Sequence, residues 1–329
     1  MKALSLHAVN DLRYVDVPMP NVKDDEVLVK IKYAGICGSD ISRVFGNGAY
    51  RFPIVLGHEF SGQVVEDESG EWLNKNVAVY PLLPCFKCDM CKKGNYAECS
   101  SYDYYGSRRD GGYAEYIAVK KFNLIELPKN ITYQEGAMCE PTAVAIHALN
   151  KLNIAKGQSL LISGAGTIGI IIAQLALSRG ASKVCFIEID KNKQDFCKGL
   201  GFSLYNQEEK FDVAIEGTGV GNALETLLGG VKPFGKVVLM GNPLREMTLS
   251  QKGYWHILRK ELSLFGIWNN CFNERENDWK DAIKAISNKQ VDLKPLMTHV
   301  FSLEEGLKGL SLMHDKKEFY CKVMINVER

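Results

Sequence analysis

No stretch of this chain is apolar for long enough to cross a bilayer, because its most hydrophobic run, Ile168 to Leu177, is short and broken by Gln174. An excess of charge of one sign is also missing. Forty Lys and Arg face 39 Asp and Glu, a net charge of +1, so electrostatics gives no reason to expect nucleic acid or an anionic membrane as partner. Met1-Lys2-Ala3-Leu4-Ser5-Leu6-His7 has no long apolar core followed by a small-residue cleavage site, and a cytoplasmic location is expected. Internal repeats and low-complexity linkers are absent too. What remains is an ordinary soluble composition, 46% hydrophobic and 24% charged over 329 residues, a length that suits about two domains.

Cysteine is the residue the chain does not lack. Ten cysteines without an export signal are better explained by metal ligation and buried thiols than by disulfides. Cys85, Cys88, Cys91 and Cys99 follow the spacing C-x2-C-x2-C-x7-C, which can wrap one tetrahedral zinc from a single loop and leave no position for substrate. Such a loop has few apolar residues of its own to bury, so its order is expected to depend on the metal. Lys87, Lys92 and Lys93 read as solvated side chains rather than as the footprint of a nucleic-acid-binding ribbon.

A second metal site is outlined between Gly35 and Gly62. Gly35-Ile36-Cys37-Gly38-Ser39-Asp40 and Gly57-His58-Glu59-Phe60-Ser61-Gly62 place a thiolate, an imidazole and carboxylates close together, with glycines that let the backbone turn them toward one point. Cys, His and a carboxylate suit zinc, and three protein ligands leave a fourth position open for catalysis. The plain alternative is a buried cysteine and a core histidine that never meet. Glu140 precedes Pro141, where a helix should start, and is expected just outside its first turn, free to reach a metal or to favour the helix dipole. Arg108 and Arg109, before Gly111-Gly112, could clamp an anion or pair with Asp110.

The first 80 residues read as β-rich, with strands at Leu12–Val17, Glu26–Tyr33, Gln63–Val65 and Asn76–Tyr80. After Lys156-Gly157 the pattern changes. Ser159–Ser163 is a buried-strand run, and Gly164-Ala165-Gly166-Thr167-Ile168-Gly169 follows it and opens the apolar helix Ile170 to Leu177. Between strand and helix these glycines make the turn, admit a pyrophosphate to the backbone, and pack helix on strand. The next strand, Lys183–Ile187, ends at Glu188, whose carboxylate can bond both ribose hydroxyls and would repel a 2′-phosphate, favouring NAD over NADP; Asp190 is the rival for that role. Further strands end in glycine turns at Asp212–Gly219 and Gly235–Gly241, another spans Leu262–Trp268, and the crossover from Phe202 to Phe211 is too short for a full helix. Short strands return from about Asp292, so the nucleotide domain is inserted into the β-rich one.

Cys37-Gly-Ser-Asp40, Gly57-His58-Glu59, the four-cysteine loop, Glu140-Pro141 and the glycine loop, in this order and spacing, resemble the zinc-dependent medium-chain dehydrogenases over nearly the whole chain. The resemblance implies an α/β fold: a Rossmann doubly wound parallel sheet at 144–291 inserted into a β-rich GroES-like catalytic domain at 1–143 plus 292–329. It implies one catalytic and one structural zinc, with Cys37, His58 and Glu140 holding the first, and Glu59 either a direct ligand or a base bonded to zinc-bound water. Ser39 stands like the family's relay hydroxyl, although a serine here could also simply bond its own turn. Gly164, Gly166, Thr167, Ile168, Gly169, Glu188, Lys193, Thr218 and Gly241 are the positions implied for NAD, and Asn269 lies in the Trp268–Asn270 turn implied to line the substrate site.

Glu140-Pro141 resembles the polyol branch, and Arg43-Val-Phe-Gly-Asn-Gly, Pro81-Leu-Leu-Pro-Cys85, Gly106–Gly112 and Leu258–Leu262 are similar to members that oxidise hexitol phosphates. That makes Arg43 a phosphate contact, ranked above Arg108 and Arg109. A short turn from Glu66 to Asn76 and the trimmed 202–211 crossover depart from the family pattern and bear on substrate choice, not on chemistry. The implied partner is a small sugar alcohol or its phosphate, and the implied assembly a homodimer or homotetramer. Free polyols or L-threonine as substrate, and a non-catalytic zinc or nucleotide-binding protein, are the other readings.

Overall fold

The computed structural model describes residues 1–46 and 48–328; Asn47, within the Arg43–Gly48 stretch, and Arg329 lie outside the described residues. The chain divides into two compact units. The first comprises Met1–Pro141, Cys271–Ser287 and the chain from Leu293 onward, and the second Thr142–Asn270 with Asn288–Asp292.

In the first unit the strand Glu26–Gly35 is the organising element. Its side chains are buried along most of its length, and it pairs with Glu59–Glu66, Tyr116–Lys120 and Lys322–Asn326. All three pairings are antiparallel, and at its C-terminal end Gly35 lies opposite Glu59 on one side and Met324 on the other. Ile36 and Cys37 follow directly, so the sheet register itself brings Cys37, Glu59 and the start of the last strand to one place. Val27, Val29, Ile31, Phe60, Val64, Val323 and Ile325 fill the core beneath. Past Cys37 the chain forms the helix Gly38–Phe45; Cys37 caps its N-terminus, and Asp40 in its first turn accepts the Cys37 N–H at 3.1 Å.

Among the described residues the second unit carries one sheet of six parallel strands, in the spatial order Ser203–Leu204, Lys183–Ile187, Ser159–Ser163, Phe211–Glu216, Val231–Leu239 and Ser263–Gly266. Numbered along the chain this is 3-2-1-4-5-6, the order in which a dinucleotide binds beyond the carboxyl ends of the strands. Ser163, Ile187, Glu216 and Leu239 are in register at those ends. As expected, no helix separates Leu204 from Phe211.

The structure differs from the sequence reading in two further places. Residues 271–287 join the first unit instead of the nucleotide unit, because Phe272 and the buried Trp279 pack on Tyr80, with ring centroids 4.3 Å and 5.8 Å away. The helix expected to begin at Pro141 spans Cys139–Leu152, which puts Glu140 inside its first turn; a proline is tolerated there because the first turn needs no N–H. Among the described residues no helix is long and apolar enough to cross a membrane.

Candidate active site and metal centres

Four thiols of one loop converge first. The donor atoms of Cys85, Cys88, Cys91 and Cys99 all lie within 4.8 Å of one another, and Cys85 Sγ stands 3.8 Å from Cys91 Sγ. That separation is far beyond the roughly 2.05 Å of a disulfide and equals the edge of a tetrahedron with Zn–S bonds of about 2.3 Å. Backbone amides prepare the sulfurs: the Lys87 and Cys88 N–H groups reach Cys85 Sγ at 3.4 Å, and the Cys85 N–H reaches Cys99 Sγ at the same distance. N–H groups of Cys91 and Ser100 draw the Cys88 thiol down to about 5, while burial pushes Cys91 up to about 12. A divalent cation would resolve that mixture of thiolate and thiol by displacing the remaining protons.

The second constellation is built on the end of the Glu26–Gly35 strand. Donor atoms of Cys37, His58 and Glu59 lie within 4.8 Å of one another, and His58 and Glu59 are buried. Asp40, wholly buried, is the hub behind them. It accepts the Tyr113 hydroxyl at 2.8 Å, and its other oxygen lies 3.6 Å from His58 Nδ1 and 3.4 Å from Arg43 Nη1. Burial alone would lower the His58 pKa, but Asp40 and Cys37 outweigh it and raise the imidazole well above its ordinary range. Burial likewise opposes charge on Asp40, yet His58 and Arg43 keep its carboxylate low. The T-shaped contact of Tyr104 with His58, centroids 5.8 Å apart, covers the ring.

Glu140 is buried beside this group, though its carboxylate falls outside the set that meets within 4.8 Å. Burial pushes its carboxyl up to about 7, with His58 opposing and Glu59 adding to the shift. Glu59 itself is held by Lys322, whose buried ammonium bonds Glu59 Oε2 and donates to the Ile36 carbonyl at 3.1 Å. The pair fills the space beside Gly35, where any Cβ would stand 2.2 Å from Glu59 Oε2. Asp40, Tyr113 and Lys322 were not singled out from the sequence. The one local signal for Lys322 is a lysine at the head of the otherwise apolar strand Lys322–Asn326.

Ser39 Oγ accepts Arg43 Nη1 at 2.8 Å, so both residues are placed by the Gly38–Phe45 helix. Arg109 pairs with Asp103 at 2.6 Å, whereas the Arg108 guanidinium lies between two tyrosine rings.

In the second unit the glycine loop has the shape the sequence suggested. Gly164 has φ +96°, a Cβ on Gly169 would stand 2.2 Å from the Gly164 carbonyl oxygen, and a Cβ on Gly166 would meet nothing within 4 Å. The first glycine therefore serves the turn and the third the close packing. The second leaves open backbone at the N-terminus of the helix Thr167–Ser178, the cradle an anionic pyrophosphate fits. Glu188 accepts the Ala165 N–H at 3.0 Å, tying the strand end to that loop, while Asp190 caps the helix Lys191–Gly199 by accepting the Lys193 N–H at 3.0 Å. Thr218 donates its N–H to buried Glu216 at 2.6 Å, and Gly241 packs so closely on this turn that a Cβ would stand 2.1 Å from the Gly219 nitrogen. Asn269 takes a left-handed φ of +53° after the last strand of the sheet.

Residues 23–129 match the alcohol dehydrogenase GroES-like domain and residues 167–288 the zinc-binding dehydrogenase domain. The chain belongs to the zinc-dependent medium-chain dehydrogenase family and is an oxidoreductase. It is 37% identical over 320 residues to galactitol 1-phosphate 5-dehydrogenase of Escherichia coli (strain K12), covering 90% of this chain and 92% of that one. A sorbitol dehydrogenase of Bombyx mori is 32% identical, with 99% of this chain and 98% of that one covered. The crystal structure of galactitol-1-phosphate dehydrogenase from Escherichia coli superposes with a TM-score of 0.92 at 34% identity, covering 99% of this chain and 100% of that one.

Proposed function

We propose that this chain oxidises a secondary hydroxyl of a sugar alcohol phosphate with NAD, and that galactitol 1-phosphate, converted to tagatose 6-phosphate, is the first substrate to test. The observation that carries the reading is the convergence of Cys37 with buried His58 and Glu59, beside buried Glu140. Cys37, His58 and Glu140 are the residues we assign to the catalytic zinc, and Cys85, Cys88, Cys91 and Cys99 those for the structural one. A bound zinc at the first site supplies the Lewis acidity that lowers the pKa of an alcohol.

The chain's own groups do the rest. Asp40 stands 3.6 Å behind His58 Nδ1, the side from which an outer carboxylate orients a ligating histidine. Lys322 balances the charge of Glu59, which otherwise would add a second carboxylate to the site. Ser39, already accepting from Arg43, keeps its own O–H free to receive and pass on the substrate proton. Gly164, Gly166, Thr167, Ile168 and Gly169 hold the dinucleotide phosphates. Thr218, Gly241 and Lys193 sit at or beside the strand ends that border it. Glu188, whose carboxylate stands at the strand end tied to the glycine loop, is the residue we assign to the ribose hydroxyls, where it disfavours a 2′-phosphate.

The test is NAD reduction by the zinc-loaded enzyme with galactitol 1-phosphate, galactitol, sorbitol and L-threonine at equal concentrations. A preference for the phosphorylated hexitol of about a hundredfold in kcat/KM is expected, equal to about 2.7 kcal/mol of transition-state binding. Faster turnover of sorbitol would shift the reading to the free-polyol branch, which the 32% identity to a sorbitol dehydrogenase supports. In the same assay Glu140→Ala is expected to abolish turnover while NAD binding, read by fluorescence titration, stays intact. Retained turnover would remove Glu140 from the zinc site.

A further inference from the structure

Of Arg43, Arg51, Arg108 and Arg109, all in the first unit, three have an aspartate. Arg43 stands 3.4 Å from Asp40, Arg51 pairs with Asp110 at 2.7 Å, and Arg109 pairs with Asp103 at 2.6 Å. Asp110, the partner that the sequence offered to Arg108, is thus taken by Arg51. Among the described residues no carboxylate pairs with the Arg108 guanidinium, whose central carbon lies over two tyrosine rings instead, 4.5 Å from the Tyr50 ring centroid and 4.4 Å from that of Tyr102. A guanidinium held over aromatic rings by cation–π attraction keeps its fork of N–H donors available to an anion.

The stack leads toward the metal site. Tyr102 packs on Tyr104 with centroids 6.3 Å apart, and Tyr104 packs on His58 at 5.8 Å. Arg108 is therefore three contacts from His58, one of the residues assigned to the catalytic zinc. In a hexitol 1-phosphate the reacting carbon C5 and the phosphorus are six bonds apart, roughly 7 Å when extended, the reach of two residues of chain. A guanidinium that recognises the phosphate must stand a few ångströms beyond that end, which lies inside the upper bound set by the three contacts of 4.4, 6.3 and 5.8 Å.

We propose that Arg108, clamped between Tyr50 and Tyr102, is the residue that selects a phosphorylated sugar alcohol, taking the phosphate on its free edge. This rests on the polyol-phosphate reading above and changes the assignment within it. Arg43, favoured by sequence position, already holds Ser39 and balances Asp40. A stacked, unpaired arginine loses little order on binding and gives up no existing ion pair, whereas Arg43 and Arg109 would have to share or release theirs.

The experiment compares wild type, Arg108→Gln, Arg108→Lys and Arg43→Gln in the zinc-loaded enzyme with NAD, and reads the ratio of kcat/KM for galactitol 1-phosphate to that for galactitol. Arg108→Gln is expected to lower the ratio about 30-fold or more, through KM of the phosphorylated substrate, with Arg108→Lys falling between. Arg43→Gln should depress both substrates and shift the ratio less than threefold. Inorganic phosphate should compete with galactitol 1-phosphate in wild type and lose at least tenfold of that inhibition in Arg108→Gln. If Arg108→Gln misfolds by circular dichroism, Tyr50→Leu, which removes one exposed face of the clamp, should still lower the ratio several-fold. A ratio within threefold of wild type in Arg108→Gln, or in Tyr50→Leu where that variant stands in for it, overturns the inference and leaves the polyol-phosphate reading intact. A wild-type enzyme with no preference for the phosphorylated hexitol overturns both.

Discussion

At the residue scale the charge balance of the metal site hangs on a lysine that comes 263 positions after its partner. Burial disfavours a charged ammonium at Lys322, but Glu59 and Cys37 outweigh it and raise its pKa. Removing one member of such a pair leaves the other charge buried and alone, at a cost of about 3–5 kcal/mol, whereas replacing both with neutral groups is often harmless. Lys322→Met in the chelated protein is therefore expected to lose about that much in urea unfolding, and Lys322→Met with Glu59→Gln to recover most of it. Equal stability of the single variant and wild type would overturn the Lys322–Glu59 pair as a stabilising contact. The ligand types were legible because Cys37, His58 and Glu59 carry their chemistry in the residue name and sit within one short span. Lys322, Asp40 and Tyr113 were not, because what makes them matter is a contact across the sheet that no local spacing records.

At the scale of elements, the glycine loop shows how far a motif can be read. Gly164, Gly166 and Gly169 were each given a distinct task from spacing alone, and the structure separates them: the Cβ position is blocked at Gly169 and open at Gly166. Gly169→Ala should accordingly destabilise the fold, by about 1–3 kcal/mol of overpacking, while Gly166→Ala should keep wild-type stability and weaken NAD binding at least tenfold. Thermal melts and isothermal titration of the two variants check this; a Gly166→Ala protein that binds NAD normally would show that no pyrophosphate approaches there. The four-cysteine loop was legible for the same reason, since ligand spacing is local. The helix Asp278–Ser287 was not assigned to the right unit, because its membership depends on Trp279 meeting Tyr80, some 200 residues away in the chain.

For the whole molecule the question is how the buried charges couple metal, proton and stability. Glu140 in the metal-free fold titrates at about 7 against an ordinary 4.5, so the folded state holds a proton that the unfolded chain has released. Its contribution to stability is complete below pH 4.5 and is lost as pH rises through about 7, on the order of 3 kcal/mol. His58 has the same sign, since its raised pKa gives stability present below its ordinary 6.5 and lost as pH climbs through the folded value. Asp40 and Lys322 act outside this window: the lowered Asp40 loses its contribution only as pH falls below the ordinary 3.8, and the raised Lys322 only above 10.5. A divalent cation needs the deprotonated forms of Glu140 and His58, so the conditions that weaken the empty fold are those that favour the loaded one. Chelated protein should become less stable between pH 5 and 8, and the gain in Tm on adding zinc should grow over the same interval. Glu140→Gln isolates the cause, because glutamine cannot titrate: its chelated form should lose most of the slope between pH 4.5 and 7 while the pH dependence due to His58 persists. An unchanged slope in that variant would mean that Glu140 stays ionised in the empty site, and that the proton released when zinc enters comes from His58 and the thiols.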